Sequence, residues 1–194
     1  MKVGVLALQG AVAEHMKIIE MAGEKAVAVK KVEQLEEIDG IIVPGGESTT
    51  IGKLMKKYGF DTALKDFSDQ RKPIFGTCAG LIILAKEING TKDSHLGLMD
   101  ILVERNAFGR QRESFEVDLE IEGVADNFRA VFIRAPYIMD VKENVGILSI
   151  YNGKIVAARQ EHLLASAFHP ELTDDPRMHK YFIEMIREYK SQRD

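Results

Sequence analysis

Apolar residues in the first half of this chain come in short β-branched runs that alternate with stretches of helical periodicity. Val3 to Leu8 has the length of a buried strand. After Gln9-Gly10 the apolar positions fall at Val12, Met16, Ile19 and Ala22, the three-to-four spacing of an amphipathic helix that stops at Gly23. Ala26 to Val29 predicts a second strand and Gly40 to Val43 a third, which ends at Pro44-Gly45-Gly46. Ser48 can then cap a helix running to about Tyr58. A helix near Thr62 to Phe67 leads to the apolar run before Cys78, and Leu81 to Lys86 again reads as helix. Strands alternating with helices predict a parallel sheet covered on both faces.

The second half changes rhythm. Leu98 to Val103, Phe115 to Ile121, Ala130 to Ile133, Val145 to Tyr151, Lys154 to Ala158 and Leu164 to Phe168 are strand candidates joined by turns, so antiparallel pairs are expected to join the sheet. Asn152-Gly153 is a hairpin signal, because both residues tolerate the positive φ of a type I′ turn. From about Pro176 to Tyr189, Met178, Phe182, Met185 and Ile186 share one helical face, the pattern of a covering helix. The expected architecture is a mixed, mostly parallel sheet with helices on both faces, a flavodoxin-like three-layer α/β sandwich.

Composition narrows the class. With 194 residues, 45% of them hydrophobic, and no spacer or repeat, a single domain spanning 1–194 is the simplest count. A net charge of −4 offers no footprint for nucleic acid or an anionic membrane, and the short basic groups Lys30-Lys31, Lys56-Lys57 and Arg110-Gln111-Arg112 read as solvated faces. One cysteine cannot form an internal disulfide, the N-terminus lacks a signal-peptide layout, and no apolar stretch reaches membrane-span length, so the cytoplasm is the expected location.

Three segments follow strands at what would be their carboxyl ends, where an open α/β sheet places its chemistry. Gly76-Thr77-Cys78-Ala79-Gly80 is a nucleophile elbow, a tight strand-to-helix turn whose glycines remove clashing Cβ atoms. A lone cysteine is as readily a small buried hydrophobe. Phe168-His169-Pro170-Glu171 supplies a base and a carboxylate to orient it, although His-Pro-Glu by itself is more often a turn. Pro44-Gly45-Gly46 is either a strand-ending turn or a set of backbone donors for an oxyanion. Gly46 to Lys53 fails as a phosphate-binding loop, since its glycines are one residue too far apart and Leu54 replaces the Ser/Thr. His15, His95, His162 and His179 lack metal-ligand spacing and read as ordinary polar residues. No metal and no cofactor are expected.

Together these segments resemble the triad-type (class I) glutamine amidotransferases. The resemblance is closer still to the family of glutaminase subunits of pyridoxal 5′-phosphate synthases, through Leu8-Gln9-Gly10, Pro44 to Thr50, Gly76 to Leu84, Val103-Glu104-Arg105-Asn106, Phe132-Ile133-Arg134-Ala135-Pro136 and Phe168 to Leu172. It implies that Cys78 attacks the side-chain amide of L-glutamine, that His169 shuttles the proton and that Glu171 orients His169. It further implies an oxyanion hole from Ala79 and Gly45 or Gly46, and glutamine contacts from Gly46, Glu47, Ser48, Arg105, Ile133 and Arg134. Arg134 acts there through side chain or backbone. The implied partner is a (β/α)8-barrel synthase subunit docking near Gln9 and Gly10. Free ammonia is mostly protonated at neutral pH, which gives a physical reason for handing it directly to such a partner. Two alternatives remain: another cysteine-elbow amidotransferase or peptidase- or deglycase-like enzyme on a similar fold, and a catalytically silent regulatory subunit.

Overall fold

The structure, a computed structural model, describes residues 1–105 and 114–193. Its first half alternates as the pattern predicts: β1 (Lys2–Leu6), α1 (Val12–Met21), β2 (Lys25–Val29), β3 (Gly40–Val43), α2 (Ser48–Tyr58), α3 (Phe60–Asp69), β4 (Ile74–Thr77) and α4 (Ala79–Leu84). There follow β5 (Ala85–Ile88), β6 (Met99–Glu104), β7 (Ser114–Ile121), β8 (Ala125–Ile133), β9 (Tyr137–Val141), β10 (Gly146–Tyr151), β11 (Lys154–Gln160), β12 (Leu163–Ser166) and α5 (Arg177–Ser191).

The large sheet runs β2-β1-β3-β4-β12-β11-β9-β6-β5, with β10 paired to β11. Its first five strands are parallel, the doubly wound order that reverses direction between β1 and β3. Val3, Val5, Ile41, Ile42, Phe75 and Leu164 are fully buried, as strands covered on both faces must be. β11 turns the sheet antiparallel, and Asn152 and Gly153 take φ of 49° and 74° in the β10–β11 hairpin, as its turn chemistry requires.

Four elements depart from the pattern. Lys86 belongs to a strand rather than to a helix, because after six buried residues the chain extends at Ala85 and pairs with β6. An apolar run that short carries no periodicity to separate the two outcomes. β9 was not signalled at all; Tyr137–Val141 mixes exposed and buried positions and is held as a strand by β6 and β11. β7 and β8 pair with each other but do not join the large sheet. Their ribbon lays Leu119, Ile121, Phe128 and Phe132 face-down onto the core, with Phe128 and Phe132 each 5.7 Å from the Phe168 ring, while Glu116, Asp118 and Arg129 form an outer ion cluster. Finally, the cap of α2 is Glu47, not Ser48: its carboxylate accepts from the Thr49 and Thr50 N–H groups at 3.0 and 2.7 Å, and helical geometry already includes Ser48.

Candidate active site

Four turns converge at the carboxyl ends of β1, β3, β4 and β12, around the point where the strand order reverses. Cys78, between β4 and α4, adopts φ 51° and ψ −107°. A non-glycine residue held there stores strain on the order of 1–3 kcal/mol, which persists only where the surroundings enforce it. Cys78 N–H donates to Ser166 O at 2.8 Å, pinning the elbow to the end of β12. The flanking glycines are obligatory, since a Cβ on Gly80 would lie 2.0 Å from Val43 O and one on Gly76 would lie 2.4 Å from Gly80 O.

His169 faces the thiol from the turn after β12, and its own N–H donates to Val131 O of β8 at 2.8 Å. Nδ1 of His169 lies 2.7 Å from Glu171 Oε1, the bond that orients a base imidazole. Pro170 begins a short 3-10 turn that folds the buried Glu171 back onto the ring. Burial opposes charging His169, but hydrogen bonds and charge from Cys78 and Glu171 outweigh it and raise its pKa to about 10. The ring therefore keeps a proton that can go to a leaving amine.

The glycine loop reaches both groups. A Cβ on Gly45 would come within 2.6 Å of His169 Cε1 and 3.3 Å of Cys78 Cβ, so the main chain there packs directly on the pair. The loop is held from β1: Glu47 N–H donates to Gln9 Oε1 at 2.8 Å, and Gly10, at φ 99°, lies so close to Gly45 O that a Cβ would sit 1.8 Å away. Ala79 N–H occupies the first turn of α4, where an N–H has no partner within the helix.

Cys78 and His169 open into a cavity of about 420 Å³ whose wall includes Gly46, Glu47, Ser48, Arg105, Ile133 and Arg134. Thus all six residues named for substrate from sequence line the cavity that holds the thiol. Arg105 Nη2 stands 3.6 Å from Glu47 Oε1 and 3.4 Å from Thr49 Oγ1. Hydrogen bonding by Thr50, with the Thr49 and Thr50 N–H groups, holds the Glu47 carboxyl down at about 2 despite some desolvation. Arg134 has a left-handed φ of 43°, and the Ile133 carbonyl lies 3.9 Å from Cys78 Sγ. Asn106, part of the same sequence motif, lies outside the described residues. A larger concavity, about 950 Å³, lies between β8 and β10; it is lined by Glu120, Glu122 and Asp126 and contains no thiol or imidazole.

Sequence reasoning missed what stands behind this site. His15 and His179 are fully buried and joined at 2.9 Å, with His15 Nε2 3.2 Å from Thr77 Oγ1, so they are not ordinary surface polar residues. The signal was present: His15 shares the inner face of α1 with Ile18 and Ile19, and His179 that of α5 with Phe182, Ile183 and Ile186. The other two histidines are elsewhere, His162 bonded to Ser68 Oγ at 2.8 Å and His95 packed against Gly52 of α2. Among the described residues no group of three or more His, Cys, Asp or Glu is arranged to hold a metal.

Known proteins place this geometry. Residues 5–188 match the model of the SNO glutamine amidotransferase family. A Niallia circulans protein named pyridoxal 5′-phosphate synthase subunit PdxT is 66% identical over 97% of this chain and 99% of its own length. A Brevibacillus brevis protein of the same name is 62% identical over 98% and 100%. A crystal structure titled as a glutamine amidotransferase superposes with a TM-score of 0.91 at 50% identity, over 95% of this chain and 98% of that one. The matches run along nearly the whole chain, and the chain belongs to the SNO glutamine amidotransferase family.

Proposed function

We propose that this chain hydrolyses L-glutamine to L-glutamate and ammonia with Cys78, His169 and Glu171, as the glutaminase subunit of a pyridoxal 5′-phosphate synthase. The observation that carries the residue assignment is the strained Cys78 elbow, with its thiol facing an imidazole that is itself 2.7 Å from a buried carboxylate. The family and its PdxT relatives supply the substrate.

Cys78 sulfur attacks the side-chain amide carbon while His169 holds the proton drawn from the thiol. The tetrahedral oxyanion meets the Ala79 N–H and an N–H of Gly45 or Gly46, backbone donors of the kind that stabilise such a charge. His169 protonates the amide nitrogen, the C–N bond breaks, and ammonia leaves a thioester on Cys78. Water, giving a proton to His169, then cleaves the thioester and releases glutamate. Arg105 offers a guanidinium to the glutamine α-carboxylate. Glu47 spends its side chain on capping α2, so it meets substrate through its backbone, with Gly46, Ser48, Ile133 and Arg134 completing the wall.

Ammonia must leave toward an acceptor before water protonates it, and the acceptor is a synthase subunit of (β/α)8-barrel fold docking at Gln9 and Gly10. Those residues brace the glycine loop, so a partner pressing on them acts on the oxyanion donors. The whole chain works as one amidotransferase domain in the cytoplasm; no helix among the described residues is long and apolar enough to cross a membrane. Glutamine hydrolysis is expected to be weak in the isolated chain and stronger with the synthase. Equal rates would remove the coupling. Mass spectrometry after a glutamine-analogue electrophile is expected to show one adduct, at Cys78, and Cys78→Ala to abolish hydrolysis while preserving synthase binding. Ammonia release by that variant would overturn the triad.

A further inference from the structure

Glu171 gives one carboxylate oxygen to His169, but its other oxygen, Oε2, is sealed from solvent and forms no hydrogen bond among the described residues. His15 Nε2 lies 3.4 Å from that oxygen and 3.2 Å from Thr77 Oγ1, and on its far side His15 Nδ1 lies 2.9 Å from His179 Nε2. A buried carboxylate oxygen without a donor is costly, and His15 presents the ring nitrogen that could supply one.

Which nitrogen of His15 carries the proton decides whether it does. Both rings are neutral. Burial pushes His179 down to about 3, and burial together with the charges of His179 and His169 pushes His15 well below its ordinary value. If His15 were protonated at Nδ1 it would donate to His179 Nε2. It would then turn a bare Nε2 lone pair on the carboxylate and leave two groups unpaired, Glu171 Oε2 and a buried His179 Nδ1–H. If instead His179 donates from Nε2–H to His15 Nδ1, His15 carries Nε2–H. That proton lies toward Thr77 Oγ1 at 3.2 Å with Glu171 Oε2 at 3.4 Å on the same side, so the carboxylate oxygen faces an N–H, and His179 Nδ1 keeps only a lone pair. The second arrangement leaves no buried imidazole N–H unpaired and turns no lone pair toward an anion.

We propose that His15, fixed as its Nε2–H tautomer by His179, is a positioning residue for glutamine hydrolysis: it holds the second oxygen of Glu171 and so fixes the carboxylate that orients His169. Four elements meet in this device: His15 comes from α1, Thr77 from β4, Glu171 from the turn after β12 and His179 from α5. The titratable groups facing His15 are Glu171 and His179, both buried, and His169, which is partly buried at the cavity. The proposal rests on the triad reading given above.

Two measurements test it on the full chain. Long-range ¹H–¹⁵N correlation of the imidazoles is expected to show His15 neutral and protonated at Nε2; protonation at Nδ1 would overturn the proposal. In glutaminase assays with the synthase subunit present, His15→Leu is expected to lower kcat by about tenfold or more with KM for glutamine unchanged, whereas His15→Gln, which returns an N–H near the Nε2 position, recovers to within about threefold of the parent. Equal loss in both variants would reduce His15 to packing, and undiminished kcat in a folded His15→Leu would sink the idea. Cys78→Ala and His169→Ala run alongside separate the two readings. Activity in those variants defeats the triad, while their inactivity beside a fully active His15→Leu defeats only the role of His15.

Discussion

The two sides of the Glu171 carboxylate are built by different means. Toward the cavity, Oε1 meets His169, and the parts around it are main chain: a strained elbow, two glycines against carbonyl oxygens and a glycine loop resting on the Cys–His pair. Behind it, Oε2 faces the side chain of His15 from α1, which is itself held by His179 of α5 and Thr77 of β4. Backbone geometry can hold donors where charge develops without any side chain to rearrange, whereas a buried chain of imidazoles can hold a carboxylate only while every proton sits on the right nitrogen.

Glu171→Gln strikes both sides at once and is the change with the largest expected effect. An amide keeps the shape but puts an N–H where one carboxylate oxygen stood. It then either forces His169 to offer a lone pair at Nδ1, the wrong tautomer for a base, or collides with the Nε2–H of His15. A fall in kcat of about a thousandfold is expected, with KM little changed, in steady-state glutaminase kinetics. A fall below tenfold would mean that the orientation of His169 comes from somewhere other than Glu171.

The contrast also explains what the sequence revealed. The cavity side is written in consecutive residues, because an elbow needs glycine within two positions of its cysteine and a His-Pro-Glu turn carries base and orienter together. The parallel sheet of the first half followed from alternating apolar runs for a similar reason, whereas its strand order did not. His15 and His179, 164 positions apart, meet only after α1 and α5 have docked. A histidine on an apolar helical face is compatible with many partners, so no local pattern could pair these two. β9 escaped notice because its pairing partners, rather than its own alternation, make it a strand. The separation of β7–β8 from the large sheet was equally a matter of where an apolar ribbon face finds cover.

Gly80→Ala breaks the backbone side alone. The added Cβ would lie 2.0 Å from Val43 O, an atom of a central strand that cannot withdraw. About 3 kcal/mol of lost stability is expected in denaturant unfolding, together with loss of hydrolysis as the elbow opens. A stable, active Gly80→Ala would show that α4 can slide and that the strain at Cys78 is not enforced by this contact.

The two sides also respond to pH with opposite sign. His169 carries a raised pKa of about 10, so its contribution to stability is fully present below about 6.5 and is lost as pH climbs toward 10. His179, held neutral down to about 3, and His15, shifted in the same direction, refuse protons that the unfolded chain takes up below about 6.5. Stability should therefore fall as pH drops from 6.5, by about 1 kcal/mol per pH unit for each of the two rings. Urea midpoints measured from pH 4 to 10 check this. A plateau extending down to pH 4 would mean that the rings accept protons in the folded state.

The smallest effect is expected at the outer wall of the cavity, where Arg105 is exposed and its guanidinium sits 3.6 Å from Glu47. An exposed ion pair contributes little to stability, so Arg105→Ala should leave the unfolding midpoint almost unmoved. Binding is another matter. Removing the cation deletes a partner for the glutamine α-carboxylate and exposes that carboxylate to Glu47, which stays ionised because Thr50 and two helix N–H groups hold its pKa at about 2. KM should rise about tenfold at nearly constant kcat, since the interaction is the same in ground and transition states. Adding Glu47→Gln should then recover part of the loss, because the repulsion disappears while one amide oxygen still caps α2. If the double variant is no better than Arg105→Ala, Arg105 acts only as a contact, and the charge of Glu47 is invisible to substrate.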